Sequence, residues 1–324
     1  MKEASLYEKL EDEKVRCFLC NHRCLIKSGA RGICGVRENR AGTLMSLVYG
    51  KIIARHCDPI EKKPLFHFLP GSSSYSIATV GCNFRCTFCQ NADISQMPSD
   101  QNRILGEEMA PEEIIQLALN CRASSISYTY TEPTVFIETV LETARAAVAK
   151  GLKNVFVSNG YMTRECLEAI HPNLHAANVD LKAFNDRFYK EQCGARLKPV
   201  LNTIVAMREM GIWLEVTTLL IPGLNDSHEE LRDLARFLAG IDPGIPWHIS
   251  RFHPTYRLMD RPVTPVETLR RARDLGYEAG LQYVYTGNIP GDAGENTFCH
   301  RCRTTLIDRM GFQVNQNRIP EGRC

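Results

Sequence analysis

Gly81-Cys-Asn-Phe-Arg-Cys-Thr-Phe-Cys-Gln-Asn91 decides how this chain is read. It places Cys82, Cys86 and Cys89 in a C-x3-C-x2-C array directly after an apolar, strand-like run, Tyr75-Ser-Ile-Ala-Thr-Val80. Thiolates are the ligands that iron–sulfur clusters use, and a [4Fe–4S] cube has four irons to satisfy. Three ligands leave one iron open to a small molecule, as a catalytic zinc keeps one position free. The competing assignment is a three-ligand fragment of a zinc or redox site. Spacing and context favour the cluster.

Working outward, 324 residues suffice for one large α/β domain or two ordinary ones, and an apolar content of 44% can supply its core. The first ten residues are charged and carry no signal-like apolar stretch. No apolar run approaches the roughly 20 residues that span a bilayer. The expectation is a soluble, cytoplasmic protein with no membrane partner. A net charge of +2, with acids and bases mixed, gives no indication of nucleic-acid binding. Fourteen cysteines in such a compartment point to metal or redox chemistry rather than disulfides. Cys121, Cys166 and Cys193 are scattered and read as small packing residues.

Upstream, Cys17-Phe-Leu-Cys20-Asn-His-Arg-Cys24 and then Cys34 form a second cysteine group. Four thiolates at this spacing suit a tetrahedral zinc site or an auxiliary iron–sulfur cluster, and sequence does not separate the two. The stretch from Asp58 to Gly71 has three prolines and reads as an extended, turn-rich lead-in. Its Glu61, Lys62, Lys63 and His67 fit a solvated linker, with a place facing the active site as the alternative.

From residue 75 on, strand-like and helix-like patterns alternate, which predicts a parallel α/β architecture. Candidate strands are Tyr75–Val80, Ser124–Tyr130, Asn154–Val157, Ala176–Leu181, Leu214–Ile221, Trp247–Phe252 and Leu281–Thr286. Pro111 with Glu112 and Glu113 opens a helix, and Ser227-x-x-Glu230 and Thr264-Pro-Val-Glu267 read as capping boxes. In barrels the reactive groups come from the C-terminal ends of the strands. Polar residues sit there in this chain: Tyr130-Thr131-Glu132, Ser158-Asn159-Gly160, Asp180-Leu181-Lys182 and His253.

The cysteine array and the stretches Cys17–Val36, Asp58–Gly71, Ala78–Gln96 and Thr129–Thr134 resemble the radical S-adenosylmethionine (SAM) enzymes of the AmmeMemoRadiSam system. Those enzymes are related to glycyl-radical activases such as the pyruvate formate-lyase activating enzyme. The resemblance implies a partial (β/α)6 TIM-like barrel over residues 73–290. Cysteine-rich extensions, 1–72 and 291–324, would flank it. It implies SAM on the open iron, with Phe88 near the adenine and Glu132 for the SAM ammonium. Tyr130-Thr131-Glu132 stands where most members have Gly-Gly-Glu. By the same likeness Ser158 and Asn159 form a polar turn at SAM, Asp180 and Lys182 meet its ribose or carboxylate, and His253 lies near the adenosyl group. For Asp180 and Lys182 a rim salt bridge is the plainer alternative.

In the tail, Cys299-x2-Cys302 and Cys324 look like a zinc-type knuckle, with His300 or Cys57 as a substitute ligand. The alternative joins Cys17 and Cys20 to Cys299 and Cys302. The implied chemistry is oxidoreductase-type: an external flavodoxin- or ferredoxin-like donor reduces the cluster, SAM is cleaved, and hydrogen is taken from an unidentified substrate. Memo-like and AMMECR-like proteins are the implied partners. The alternatives are activation of a glycyl radical enzyme, or an iron–sulfur electron-transfer or sensing protein that does not turn SAM over.

Overall fold

The alternating pattern resolves, in a computed structural model that describes residues 1–289 and 291–319, into one eight-stranded sheet. Its strands are β1 (Ala54–Pro59), β2 (Ser73–Ala78), β3 (Ser125–Tyr128), β4 (Lys153–Ser158), β5 (Ala176–Asp180), β6 (Trp213–Leu220), β7 (Trp247–Arg251) and β8 (Val284–Gly287). β2 to β8 are parallel and lie side by side in chain order, while β1 pairs antiparallel with β2. β1 and β8 are the two edges, so the sheet is open. Each of the seven strands expected from the sequence is present within a few residues of its expected bounds. β8 adds a seventh parallel strand after six βα units.

Six helices make the crossovers: α1 (Pro111–Asn120), α2 (Ile137–Ala149), α3 (Arg164–Ile170), α4 (Leu197–Glu209), α5 (His228–Ile241) and α6 (Val266–Glu278). Pro111 occupies the first turn of α1, where its missing N–H costs nothing. Ser227 caps α5 by accepting Glu230 N at 3.2 Å. The Glu230 carboxylate does not complete a capping box. It reaches across to Phe184 N and Asn185 Nδ2, both at 2.7 Å. The second expected box is absent as well. Thr264 instead donates to Leu220 O and accepts from Phe252 N, tying the ends of β6 and β7 together before α6 begins.

The strand periodicity decides which residues meet the interior. On β6, Leu214, Val216, Thr218 and Leu220 are buried on one face, and Thr217 and Leu219 of the alternate set line cavities. The stretch after β1 is no solvated linker. Asn178 Nδ2 donates to Pro64 O, and Glu215 accepts both Phe66 N and His67 N. Arg309 Nη2 donates to Phe66 O and Glu61 accepts Gly71 N. These bonds explain how the part of the stretch after β1 and a short 3-10 turn (Ile60–Lys62) is ordered without regular structure: side chains from distant elements satisfy its backbone polar groups.

The boundary expected at residue 72 does not divide two sheets, because β1 belongs to the main one. Before it, short antiparallel strands carry Cys17 to Cys34 against the ends of β2 and β4. The tail forms a small antiparallel sheet of Thr297–Phe298, Thr305–Met310 and Gln313–Asn317, which inserts Arg309 beside Glu61.

Candidate functional site

The loop after β2 brings Cys82, Cys86 and Cys89 to one cavity of about 540 Å³. Gly81 makes the approach possible. It has φ +101°, and a Cβ there would lie 2.6 Å from Val36 Cγ1 and 3.2 Å from Cys34 O. Two of the three sulfurs have polar neighbours besides the cysteines. Phe84 N donates to Cys82 Sγ at 3.3 Å, Asn159 Nδ2 approaches it at 3.8 Å, and Ser95 Oγ lies 3.2 Å from Cys89 Sγ. Burial pushes the Cys82 and Cys89 thiols up. A hydrogen bond with Cys193 brings Cys86 down.

Ends of the neighbouring strands supply the other walls. Glu132 is buried, and its Oε1 accepts Thr134 N, Thr134 Oγ1 and Ser158 Oγ while Oε2 accepts Asn159 N at 2.9 Å. Burial raises its pKa, against those four donors. Much of the carboxylate therefore braces the ends of β3 and β4. Ser158 takes part through that brace, and Asn159 spans from Glu132 to Asn83 Oδ1 at 2.7 Å. At the end of β5, Lys182 Nζ lies 3.0 Å from Asp180 Oδ2 and 5.8 Å from the Phe88 ring centre. Burial alone would lower the Lys182 pKa. Asp180, Cys86 and Cys193 outweigh it, so the ammonium stays charged beside the thiols.

Tyr130 stands at φ +62°, a left-handed conformation that glycine adopts freely and other residues at a cost of about 1–2 kcal/mol. That geometry accounts for a glycine-type position in the Tyr130-Thr131-Glu132 turn. Here the side chain holds it: Tyr130 donates to Asp58, and Lys63 Nζ sits 4.6 Å over its ring. Lys63 is paired with Asp58 at 2.6 Å and burial lowers its pKa to about 8. Burial would raise Asp58, but bonds from Lys63, Tyr130 and Lys62 hold it well below the carboxylate range. Thr131 fixes the turn by donating to Thr79 O.

Phe88, Tyr130, Thr131, Glu132, Asn159, Asp180 and Lys182 thus meet the three cysteines at one cavity. His253 does not. It is exposed and lies outside the lining, where Ser250 and Asn288 stand instead. Lys62 and Lys63 take the alternative place facing the cavity, whereas sequence reasoning missed Ser250 and Asn288, which no local pattern marks, and passed over Cys193 as a packing residue. Its carbonyl accepts Arg85 N, and Gln192 accepts Thr87 N, so the turn bearing Cys193 is clamped on the cysteine loop.

The other cysteines separate into groups. Cys17, Cys20, Cys24 and Cys34 are mutual neighbours, and burial raises Cys20, Cys24 and Cys34, the last to about 11. Cys299 lies near Tyr283, and His300 Nδ1 bonds Tyr283 Oη, so the tail does not join Cys17 and Cys20. Cys57 pairs with Cys121 rather than with the tail. Cys324 lies outside the described residues. Among the described residues no group of three or more His, Cys, Asp or Glu is placed to hold a single metal ion.

The donor set at the central cavity nevertheless suits a cluster: three thiols, N–H donors aimed at sulfur and a cation alongside. The radical SAM superfamily profile matches residues 76–238, half of the chain. The chain belongs to the radical SAM superfamily, whose members are enzymes that use a [4Fe–4S] cluster and SAM. An uncharacterised protein of Methanocaldococcus jannaschii is 49% identical over 97% of this chain and 93% of its own length. The pyruvate formate-lyase-activating enzyme of Clostridium pasteurianum is 22% identical over 50% of this chain and 67% of that one. A GTP 3',8-cyclase of Marinobacter nauticus is 30% identical over 48% and 47%. In fold, a radical SAM methyltransferase from Sphaerobacter thermophilus matches at a TM-score of 0.54 and 18% identity, over 70% of this chain and 71% of that one. No helix among the described residues is long and apolar enough to cross a membrane.

Proposed function

We propose that the chain is a SAM-cleaving enzyme that abstracts hydrogen from a substrate held next to the cluster cavity. One observation carries the reading: three thiols, a buried carboxylate and an Asp–Lys pair converge on one cavity from the ends of β2, β3 and β5. When bound there by Cys82, Cys86 and Cys89, the cluster supplies the electron that divides SAM into methionine and a 5′-deoxyadenosyl radical. Asp180 and Lys182 offer opposite charges to the ribose hydroxyls and carboxylate of SAM. Glu132 Oε2, with one donor from the chain, has capacity left for the SAM ammonium. Phe88 presents an apolar face for the adenine. Asn159 and Phe84 N orient Cys82, and the buried walls exclude water.

A partial TIM-like barrel, a cytoplasmic location and an external flavodoxin- or ferredoxin-like reductant follow from the same reading. Placement in the AmmeMemoRadiSam system, with Memo-like and AMMECR-like partners, is supported by the stretches Cys17–Val36 and Asp58–Gly71. The N-terminal thiols, packed against the cluster loop through Gly81, suit an auxiliary redox role.

The test is anaerobic reconstitution with iron and sulfide, then SAM and dithionite. The product expected is 5′-deoxyadenosine, lost in Cys86→Ala. A cluster that forms without releasing 5′-deoxyadenosine would refute the reading and leave an electron-transfer or sensing protein.

A further inference from the structure

A second chamber of about 480 Å³ adjoins the cluster cavity, within the range of small-molecule sites. Pro64, Thr217, Ser250, Asn288 and Phe312 line both. Its other walls come from β7, β8, the stretch after β1 and the tip of the tail hairpin. Most of the surface is carbon, with Phe66, Ile249, Ile289 and Met310 adding to Phe312.

Two carboxyls line it, and the imidazole in its wall, His248, is engaged by Glu215 on β6 at 2.7 Å. Glu61 and Glu295 line the chamber, and among the described lining residues there is no lysine or arginine. Arg309 is near but spent: it lies behind the wall at 0% side-chain exposure, 3.7 Å from Glu61, and donates to Phe66 O, Thr297 Oγ1 and Glu295 O. Glu295 receives one bond, from Gly311 N at 2.8 Å. With Glu61 already facing Arg309, Glu295 is the carboxyl that favours a cation or an N–H donor over an anion in this carbon-lined space, since a buried charge is tolerated when it is paired. The cluster cavity differs in carrying both signs, with Lys62, Lys63 and Lys182 beside Glu132 and Asp180 in its walls.

Resting on the assignment of the cluster cavity to SAM, we propose that this chamber holds the substrate, and that the substrate is a phosphate-free small molecule with an apolar body and an amine or other N–H-donating group. The class excludes nucleotides such as GTP, whose phosphates require cationic walls.

The test is a binding screen on the reconstituted holoenzyme with SAM present, using matched probes on one ring system. Tyramine, phenylacetamide and phenyl phosphate serve with GTP, read by saturation-transfer NMR and by competition. Tyramine and the amide are expected to bind, and phenyl phosphate and GTP are not. Met310→Trp, at an exposed hairpin position, should displace the bound probes by filling the chamber. Glu295→Gln, which keeps the acceptor for Gly311 N, should weaken tyramine roughly tenfold or more and leave the amide unaffected. Phosphate probes that bind as well as the amine, no binding by either neutral or amine probe, or binding insensitive to both variants would overturn the proposal. Formation of 5′-deoxyadenosine by the same holoenzyme is the separate readout. If it forms while the amines fail, the substrate class is wrong and the SAM assignment stands.

Discussion

Glu215→Gln tests what holds the wall of the second chamber, where Phe66 and His248 stand. Glu215 is fully buried on β6, and its carboxylate collects Phe66 N and His67 N at 2.9 Å, Trp213 Nε1 at 3.1 Å and His248 Nε2 at 2.7 Å. Burial alone would raise its pKa. The bond from His248, its charge and the other donors outweigh burial and bring it down to about 2 from 4.5. That drop corresponds to about 3 kcal/mol of folding free energy at neutral pH. The folded state has the lower pKa, so the contribution is complete above about pH 4.5 and fades as pH falls toward 2. About half of it remains at pH 3.

For a chain of 324 residues the unfolding entropy is roughly 0.7 kcal/mol per degree, so 3 kcal/mol is about 4 °C in Tm. Gln keeps an acceptor for the backbone amides and loses the charge that His248 and Trp213 meet. The expected loss is about 2–3 kcal/mol, or 3–4 °C at pH 7. Thermal unfolding of the wild type and the variant by circular dichroism at pH 7 and pH 3 checks it. The gap should narrow by about half at the lower pH. A loss below 1 °C at pH 7, or a gap that does not narrow, would refute the assignment of Glu215 as a charged anchor.

Three further outcomes are expected. Cys193→Ala removes the thiol next to Cys86. If that donor is worth roughly 1 kcal/mol, its loss moves the cluster potential about 40 mV more negative in an EPR-monitored redox titration. An unmoved or more positive potential counts against the contact. Lys182→Met leaves Asp180 without its cation and should weaken SAM binding about tenfold or more by calorimetry on reconstituted protein, whereas unchanged affinity would reduce the pair to a rim salt bridge. Tyr130→Phe deletes the hydroxyl that meets Asp58 and leaves φ as it is, for a loss of about 2 kcal/mol or 3 °C in Tm. No loss would mean that the ring over Lys63 alone maintains the turn.

The cysteine loop and the strand order were legible because both signals are local. The spacing of Cys82, Cys86 and Cys89 sits in eight residues, and each strand of β2 to β8 is an apolar run between recognisable breaks. Parallel strands buried on both faces need no partner information to be recognised. Thr264 shows where local signals fail. Its box pattern was correct in composition, but Leu220 O and Phe252 N, brought near by the sheet, compete for the same hydroxyl. His253 failed for a related reason. The strand-end rule selects a position but not a direction, and after β7 the inward places fall to Ser250 and, from β8, Asn288.

The walls were illegible because the partners lie far apart in the chain. Phe66 meets Glu215 across 149 residues and Arg309 across 243. Read singly, Glu61 and His67 resemble linker residues, and a tail arginine resembles a surface charge. Only the sheet brings Glu61 to Arg309, and only then does the charge lining of each cavity emerge. The partition has a physical reason. Thiolates and the SAM carboxylate are anions, so the cluster cavity gathers Lys62, Lys63 and Lys182. Glu132 and Asp180 stand among those lysines, while Glu61 and Glu295 lie on the far side of Pro64 and Phe312 with no lysine or arginine beside them in the described lining. Between the two, the shared wall is made of Pro64, Thr217, Ser250, Asn288 and Phe312, none of them charged. On the proposed reading, a radical formed at the cluster cavity meets, across an uncharged wall, whatever the second chamber holds. The same reading has charge select the substrate, with a neutral contact surface that sets no acid or base beside the hydrogen to be taken.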